Sequence, residues 1–186
     1  MRIDSWEGLL QHVFARLAHD VAGRMTALAA IGYIARGHNE RAELENVLVT
    51  ERTRLESMLA ALRSFPDATA APAAYELNTL LTPVAGFARW LRVAADVELH
   101  PAETGVAVRA AAGPLQRALL LALASAARED TTMVVGVQRN GPETVLVVEG
   151  GEVPAAALAE VAEWAERACG IARVRPAGVE IVLRSA

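Results

Sequence analysis

Leu10, Phe14, Leu17, Val21, Leu28, Ile31 and Ala35 follow spacings of four and three, and Arg24 fills the one slot that breaks the apolar series. This spacing predicts a long helix from about Asp4 to Gly37, with Asp4 or Ser5 as N-cap and Gly37 as C-cap. After a Gly37-His38-Asn39 turn, Arg41 to Ser64 predict a second helix. Leu44, Leu48, Leu55, Met58, Leu59 and Leu62 are placed on one side of it, with Glu51, Arg52 and Arg54 mostly on the other. Two such helices with a tight connection form a hairpin. A lone hairpin buries too little surface, so its wide stripe is expected to pair with a second copy in a four-helix bundle about a two-fold axis. Packing against the chain's own C-terminal half is the competing use of the same stripe.

The remainder has a different rhythm. Residues 65–74, with two prolines among small side chains, read as a linker. Beyond it, Leu77 to Val93 predict a helix, bent at Pro83, and Val97–Leu99 and Val106–Arg109 predict short strands. Gly113 to Arg128 predict an apolar helix with Pro114 in its first turn. Met133–Arg139 and Thr144–Glu149 are β-branched runs joined by a turn containing Asn140-Gly141, a hairpin signal. A helix over Pro154–Ala168 precedes a second hairpin, Ile171–Val174 with Val179–Leu183. Helices on one face of a mixed sheet make an α/β sandwich, so the fold class is α+β: a hairpin domain at 1–64, a linker at 65–74 and a sandwich at 75–186.

Composition narrows the function classes. The chain of 186 residues is 53% hydrophobic, enough for buried cores, and its formal charge of −4 argues against a dedicated nucleic-acid binder. The longest apolar run, Ala118 to Ala127, is too short to cross a bilayer, and the first residues lack the apolar region of a signal peptide. No membrane association is expected. The single cysteine, Cys169, fits a reducing cytoplasm, and its place late in a helix suggests core packing.

Within the first helix, His19 falls at the point of the heptad farthest from the apolar seam. At about 100° per residue, Arg16 lies about 60° from it in projection and Gly23 about 40°. Gly23 costs a helix roughly 1 kcal/mol against alanine, so a packing or access role is expected there. An exposed imidazole can accept and pass on a phosphoryl group, Asp20 can hold its tautomer, and Arg16 can offset charge on the phosphoryl oxygens. The bland alternative is a solvated surface histidine, and His12, at the same heptad position, shows that position alone proves nothing.

The order of elements adds to this. A histidine-bearing hairpin, a linker, the Tyr75–Leu81 segment, short strands, the Gly113–Ala127 helix and a β-hairpin together resemble a sensor histidine kinase core over nearly the whole chain. In that family the helix matching Leu115–Ala127 carries asparagines for Mg²⁺ and nucleotide, where this chain has Leu121 and Ser125. A glycine-rich Asp-x-Gly-x-Gly turn is replaced by Glu149-Gly150-Gly151-Glu152-Val153, and little room is left for an ATP lid. A retained histidine beside a dismantled nucleotide pocket resembles the ChpT-like histidine phosphotransferases, whose His-Asp pair His19 and Asp20 match. The kinases usually carry a proline shortly after the histidine, where this chain has Gly23-Arg24.

That resemblance implies a cytoplasmic homodimer whose sandwich is a degenerate histidine-kinase-type domain. It implies a phosphorelay through His19 between receiver domains of response regulators, with a hybrid histidine kinase as a further partner. It implies no cofactor of the chain's own, with Mg²⁺ belonging to the partner receiver. A non-catalytic scaffold or inhibitor and a divergent active kinase are the alternatives. Trp6, Trp90 and Trp164 read as packing anchors, and His38 and His100 have no metal-ligand spacing around them.

Overall fold

The computed structural model describes residues 3–34, 41–63, 66–67, 69, 71–91, 96–100, 105–128 and 130–186. The first two helices are α1 (Trp6–Ile34) and α2 (Arg41–Arg63). Ser5 caps α1, its Oγ accepting the Gly8 N–H at 3.1 Å. The C-cap expected at Gly37 and the turn through His38 and Asn39 lie outside the described residues, as does the end of the third helix at Val93.

Next come β1 (Ala73–Glu76), α3 (Leu77–Leu91), β2 (Asp96–Leu99), β3 (Ala107–Ala110) and α4 (Ala112–Ala126). The chain closes with β4 (Thr132–Asn140), β5 (Glu143–Glu149), α5 (Ala155–Arg167), β6 (Ile171–Arg175) and β7 (Gly178–Arg184). The α+β class expected from the sequence holds. Five strands form one mixed sheet in the order β2-β4-β5-β7-β6, with β2 parallel to β4 and the other pairs antiparallel.

Two local readings need correction. Ala73 and Ala74, assigned to the linker, open β1, which pairs antiparallel with β3 in a separate two-stranded sheet. The strands also do not all join one mixed sheet, since β2 belongs to the five-stranded sheet and β3 to the small one. Period-two alternation marks a strand but not its neighbour, and β3 finds a partner from before α3.

Strand alternation assigns the core. Met133, Val135, Leu146, Val148, Val179, Ile181 and Leu183 face the helices in the main cluster, while Val145, Val147 and Val182 form a small cluster on the opposite sheet face. α4 is apolar on nearly all sides and is accordingly buried along its length, from Leu115 to Ala126. α3 offers a stripe of Leu77, Leu80, Leu81, Val84, Phe87, Ala88 and Leu91, with Pro83 inside the helix.

The first turns of α1 belong to this same core. Ile3, Trp6, Leu9 and Val13 join the cluster, so it runs across the division drawn at the linker. Trp6 donates its backbone N–H to Glu160 at 2.8 Å. The Arg117 guanidinium lies 4.8 Å from the ring centres of both Trp6 and Trp164, and its Nη2 donates to the Pro66 carbonyl at 3.2 Å. Burial holds the Arg117 pKa below the ordinary arginine value. Two of the three tryptophans thus meet around one cation.

Cys169 also departs from expectation. It is exposed and adopts φ 66°, one residue past the α5 C-cap. Cys169 N–H bonds the Glu166 carbonyl at 2.9 Å and Gly170 N–H that of Ala165 at 2.8 Å, a Schellman closure in which cysteine takes the left-handed position that glycine usually fills. The helix ends before the thiol can turn inward.

Candidate functional site

α1 changes character along its length. Through Val13 its inward side is sealed in the core; farther along, it meets α2 at Arg24. The contact with α2 is polar at its centre. Arg24, the residue that breaks the apolar series, reaches Glu51 with Nη1 at 3.0 and 2.8 Å from the two carboxylate oxygens, and Arg54 adds a 2.8 Å bond. Glu51 is 5% exposed, which corrects its assignment to the outer side of α2. Its azimuth is that of Leu55, Met58 and Leu62, the signal that spacing from position 51 carries. The Arg24 hydrogen bond first, with Arg54 in support, holds the Glu51 pKa below its ordinary value.

A carboxylate in this seam must meet its arginine, so the contact fixes how the two helices slide past each other. It also turns part of the expected inner stripe outward: Leu48 and Leu59, each 46% exposed, lie off the seam. On α1, Phe14, Val21, Met25 and Leu28 are likewise 40 to 65% exposed. The hairpin therefore carries an apolar strip that its own chain leaves uncovered.

His19 points away from both surfaces. In helical projection it lies about 140° from Arg24 and about 120° to 180° from Phe14, Val21, Met25 and Leu28. The residue is exposed, and among the described residues it makes no hydrogen bond or ion pair. His12, at the same heptad position two turns earlier, is part-buried with Nε2 3.2 Å from the Leu91 carbonyl at the end of α3. Equal heptad places thus receive different environments. One imidazole is tied to the α/β half, and the other is open.

The other expected site residues divide. Gly23 is exposed on the His19 side, and a Cβ there would meet no heavy atom within 4 Å. Arg16 and Asp20 are brought together, Nη2 to Oδ1 3.4 Å, with side chains 21% and 14% exposed. Asp20 is therefore engaged with Arg16, about 100° around the helix from His19.

At the far end of the chain, the positions where the resemblance places nucleotide ligands lie inside the core. Leu121 is fully buried, and Ser125 is 1% exposed with its Oγ donating to the Ala122 carbonyl of its own helix at 3.2 Å. Neither can present an oxygen to a cation. The Gly150-Gly151 turn is closed as well. A Cβ on Gly151 would stand 2.2 Å from the Ala126 carbonyl oxygen, and one on Gly150, at φ 131°, 2.7 Å from both Met133 Sδ and the Thr132 carbonyl. These glycines let the β5–α5 connection press onto the end of α4 and the start of β4.

Among the described residues no group of three or more His, Cys, Asp or Glu side chains could hold a metal ion, and no helix is long and apolar enough to cross a membrane.

The chain is similar to solved histidine kinases at low identity. The Acinetobacter baumannii histidine kinase AdeS matches at 12% identity and a TM-score of 0.46, over 91% of this chain and 96% of that one. The mycobacterial sensor histidine kinase MprB matches at 20% and 0.47, over 62% and 98%. The catalytic domain of the histidine kinase ThkA matches at 13% and 0.48, over 62% and 96%. No protein-family model and no curated protein matches the chain.

Proposed function

We propose that this chain is a histidine phosphotransfer protein of a two-component system, carrying phosphoryl groups between receiver domains on His19. The observation that supports the reading most is the contrast between the two ends of the chain. The His19 imidazole stands open on a helix, while the residues at the expected nucleotide positions are sealed among aliphatic side chains.

In the forward step a neutral His19 ring nitrogen attacks the phosphorus of a receiver's aspartyl phosphate. The N–P bond forms as the P–O bond to the aspartate breaks, and the carboxylate leaves with the bonding pair. The second ring nitrogen keeps its proton. Transfer to another receiver reverses these roles. Mg²⁺ serves in the partner's acidic pocket, and the chain itself takes no nucleotide.

The reading includes a cytoplasmic homodimer. The uncovered strip of Phe14, Val21, Met25, Leu28, Leu48 and Leu59 suits a second hairpin, and it leaves both His19 rings pointing outward. The test is to incubate the purified chain with a phosphorylated receiver domain and look for acid-labile label. Label is expected on the wild type and absent from His19→Gln, with the dimer intact in both. Label that survives the substitution, or a wild type that takes none from any receiver, ends the proposal.

A further inference from the structure

Asp20 follows His19 in sequence but turns toward the hairpin seam, where it meets Arg16 at 3.4 Å. The next arginine on that side, Arg24, is committed to Glu51. Arg16 and His19 are i and i+3 neighbours, with Cβ atoms about 5 to 6 Å apart in a helix. The Arg16 guanidinium thus stands between the Asp20 carboxylate and the place where a phosphoryl group would sit.

We infer that Asp20 is a positioning residue that acts on Arg16 and not on the imidazole, an inference that rests on the relay reading of His19. With His19 bare, Asp20 holds the guanidinium on the seam side. A phosphoryl group arriving on His19 brings up to about two negative charges and competes for Arg16. When the guanidinium turns to it, Asp20 loses its cation while only 14% exposed. That loss offsets part of the attraction between Arg16 and the phosphoryl group. The phosphohistidine is left less stabilised than a free arginine would leave it, which suits a carrier that must release its cargo in either direction.

A double-mutant cycle in the full chain separates this from direct action on the ring. With a phosphorylated receiver as donor, Asp20→Asn is expected to raise equilibrium labelling of His19 by about three- to fivefold, the worth of a partly exposed ion pair. Arg16→Ala is expected to lower it, and the double variant to match Arg16→Ala alone. If Asp20→Asn leaves labelling unchanged, or lowers it by the same factor whether or not Arg16 is present, the inference is wrong.

A second readout needs no phosphate. In the unloaded wild type, the Arg16 side-chain Nε–H resonance should follow titration of the Asp20 carboxyl group and stop doing so in Asp20→Asn. An Arg16 signal indifferent to Asp20 overturns the inference even if relay occurs. Failure of the wild type to accept label from any receiver overturns the relay reading while leaving this ion-pair test to be decided separately.

Discussion

Replacing Gly23 by alanine separates what the helix wants from what a docking partner wants. The position is exposed, helical and open, with no heavy atom within 4 Å of an added Cβ. The substitution therefore recovers the full helix preference of alanine, about 1 kcal/mol, with no clash to oppose it. For a chain of this size that corresponds to a rise in melting temperature of about 2 to 4 °C. The new methyl group also stands on the His19 side, about 40° away and one turn on. If a receiver's backbone closes against that gap, a displacement of about 1 Å slows transfer by tenfold or more. Gly32 supplies the control, being a second exposed glycine of α1 with nothing within 4 Å of a Cβ. Gly32→Ala should give the same stability gain with transfer rates unchanged. Calorimetry and single-turnover transfer from a phosphorylated receiver measure the two effects. A Gly23→Ala protein that is stabilised and transfers at the wild-type rate would refute the docking role, and one that is destabilised would refute the local geometry.

Three other outcomes are expected. Glu51→Gln should loosen the hairpin, because Arg24 loses its anionic partner inside the seam; since Glu51 titrates below its ordinary value of 4.5, its contribution is complete above that pH and fades as pH falls through the lower folded value. Melting curves from pH 7 to pH 3 should therefore show the wild type and Glu51→Gln converging only at the acid end. Leu121→Asn, which restores the residue type that the kinase resemblance expects, should cost about 2 to 5 kcal/mol by burying an unpaired amide, and isothermal titration should detect no ATP binding; a folded, ATP-binding variant would contradict the closed core. Met25→Glu, on a side chain 65% exposed, should convert a dimer to monomer in sedimentation while leaving helix content unchanged; a variant that sediments as the wild type would remove that strip from the interface.

Periodicity exposed much of this architecture because it records which side of each element is wet. α4 was legible as a buried helix from its strongly apolar composition, the β4–β5 hairpin from its Asn140-Gly141 turn signal, and the β6–β7 hairpin from two short strand runs in succession. What the pattern does not carry is the identity of a neighbour. Glu51 looked like a surface charge because its cation, Arg24, sits 27 residues away on another helix. The pairing of β1 with β3 was hidden for a related reason, since Ala73 and Ala74 have side chains too small to signal a strand. At the site, His19, Arg16, Asp20 and Gly23 were identifiable as neighbours on one helix. Sequence spacing could not separate His19 from His12, because the difference is made by the Leu91 carbonyl at the end of α3. Nor could adjacency in the chain show that Asp20 turns toward Arg16.

Under the proposed relay, the anchoring of α1 fixes how far a docked receiver could roam. Between Val13, sealed in the common core, and His19, there is unbroken helix and no joint. The ring is carried like a fitting on a mast stepped into the hull, with Trp6, Arg117 and Trp164 at the foot. A visiting protein that grips the imidazole is thereby held at one bearing to the α/β half, so the choice among visitors can be made by the outline of that half without any moving part.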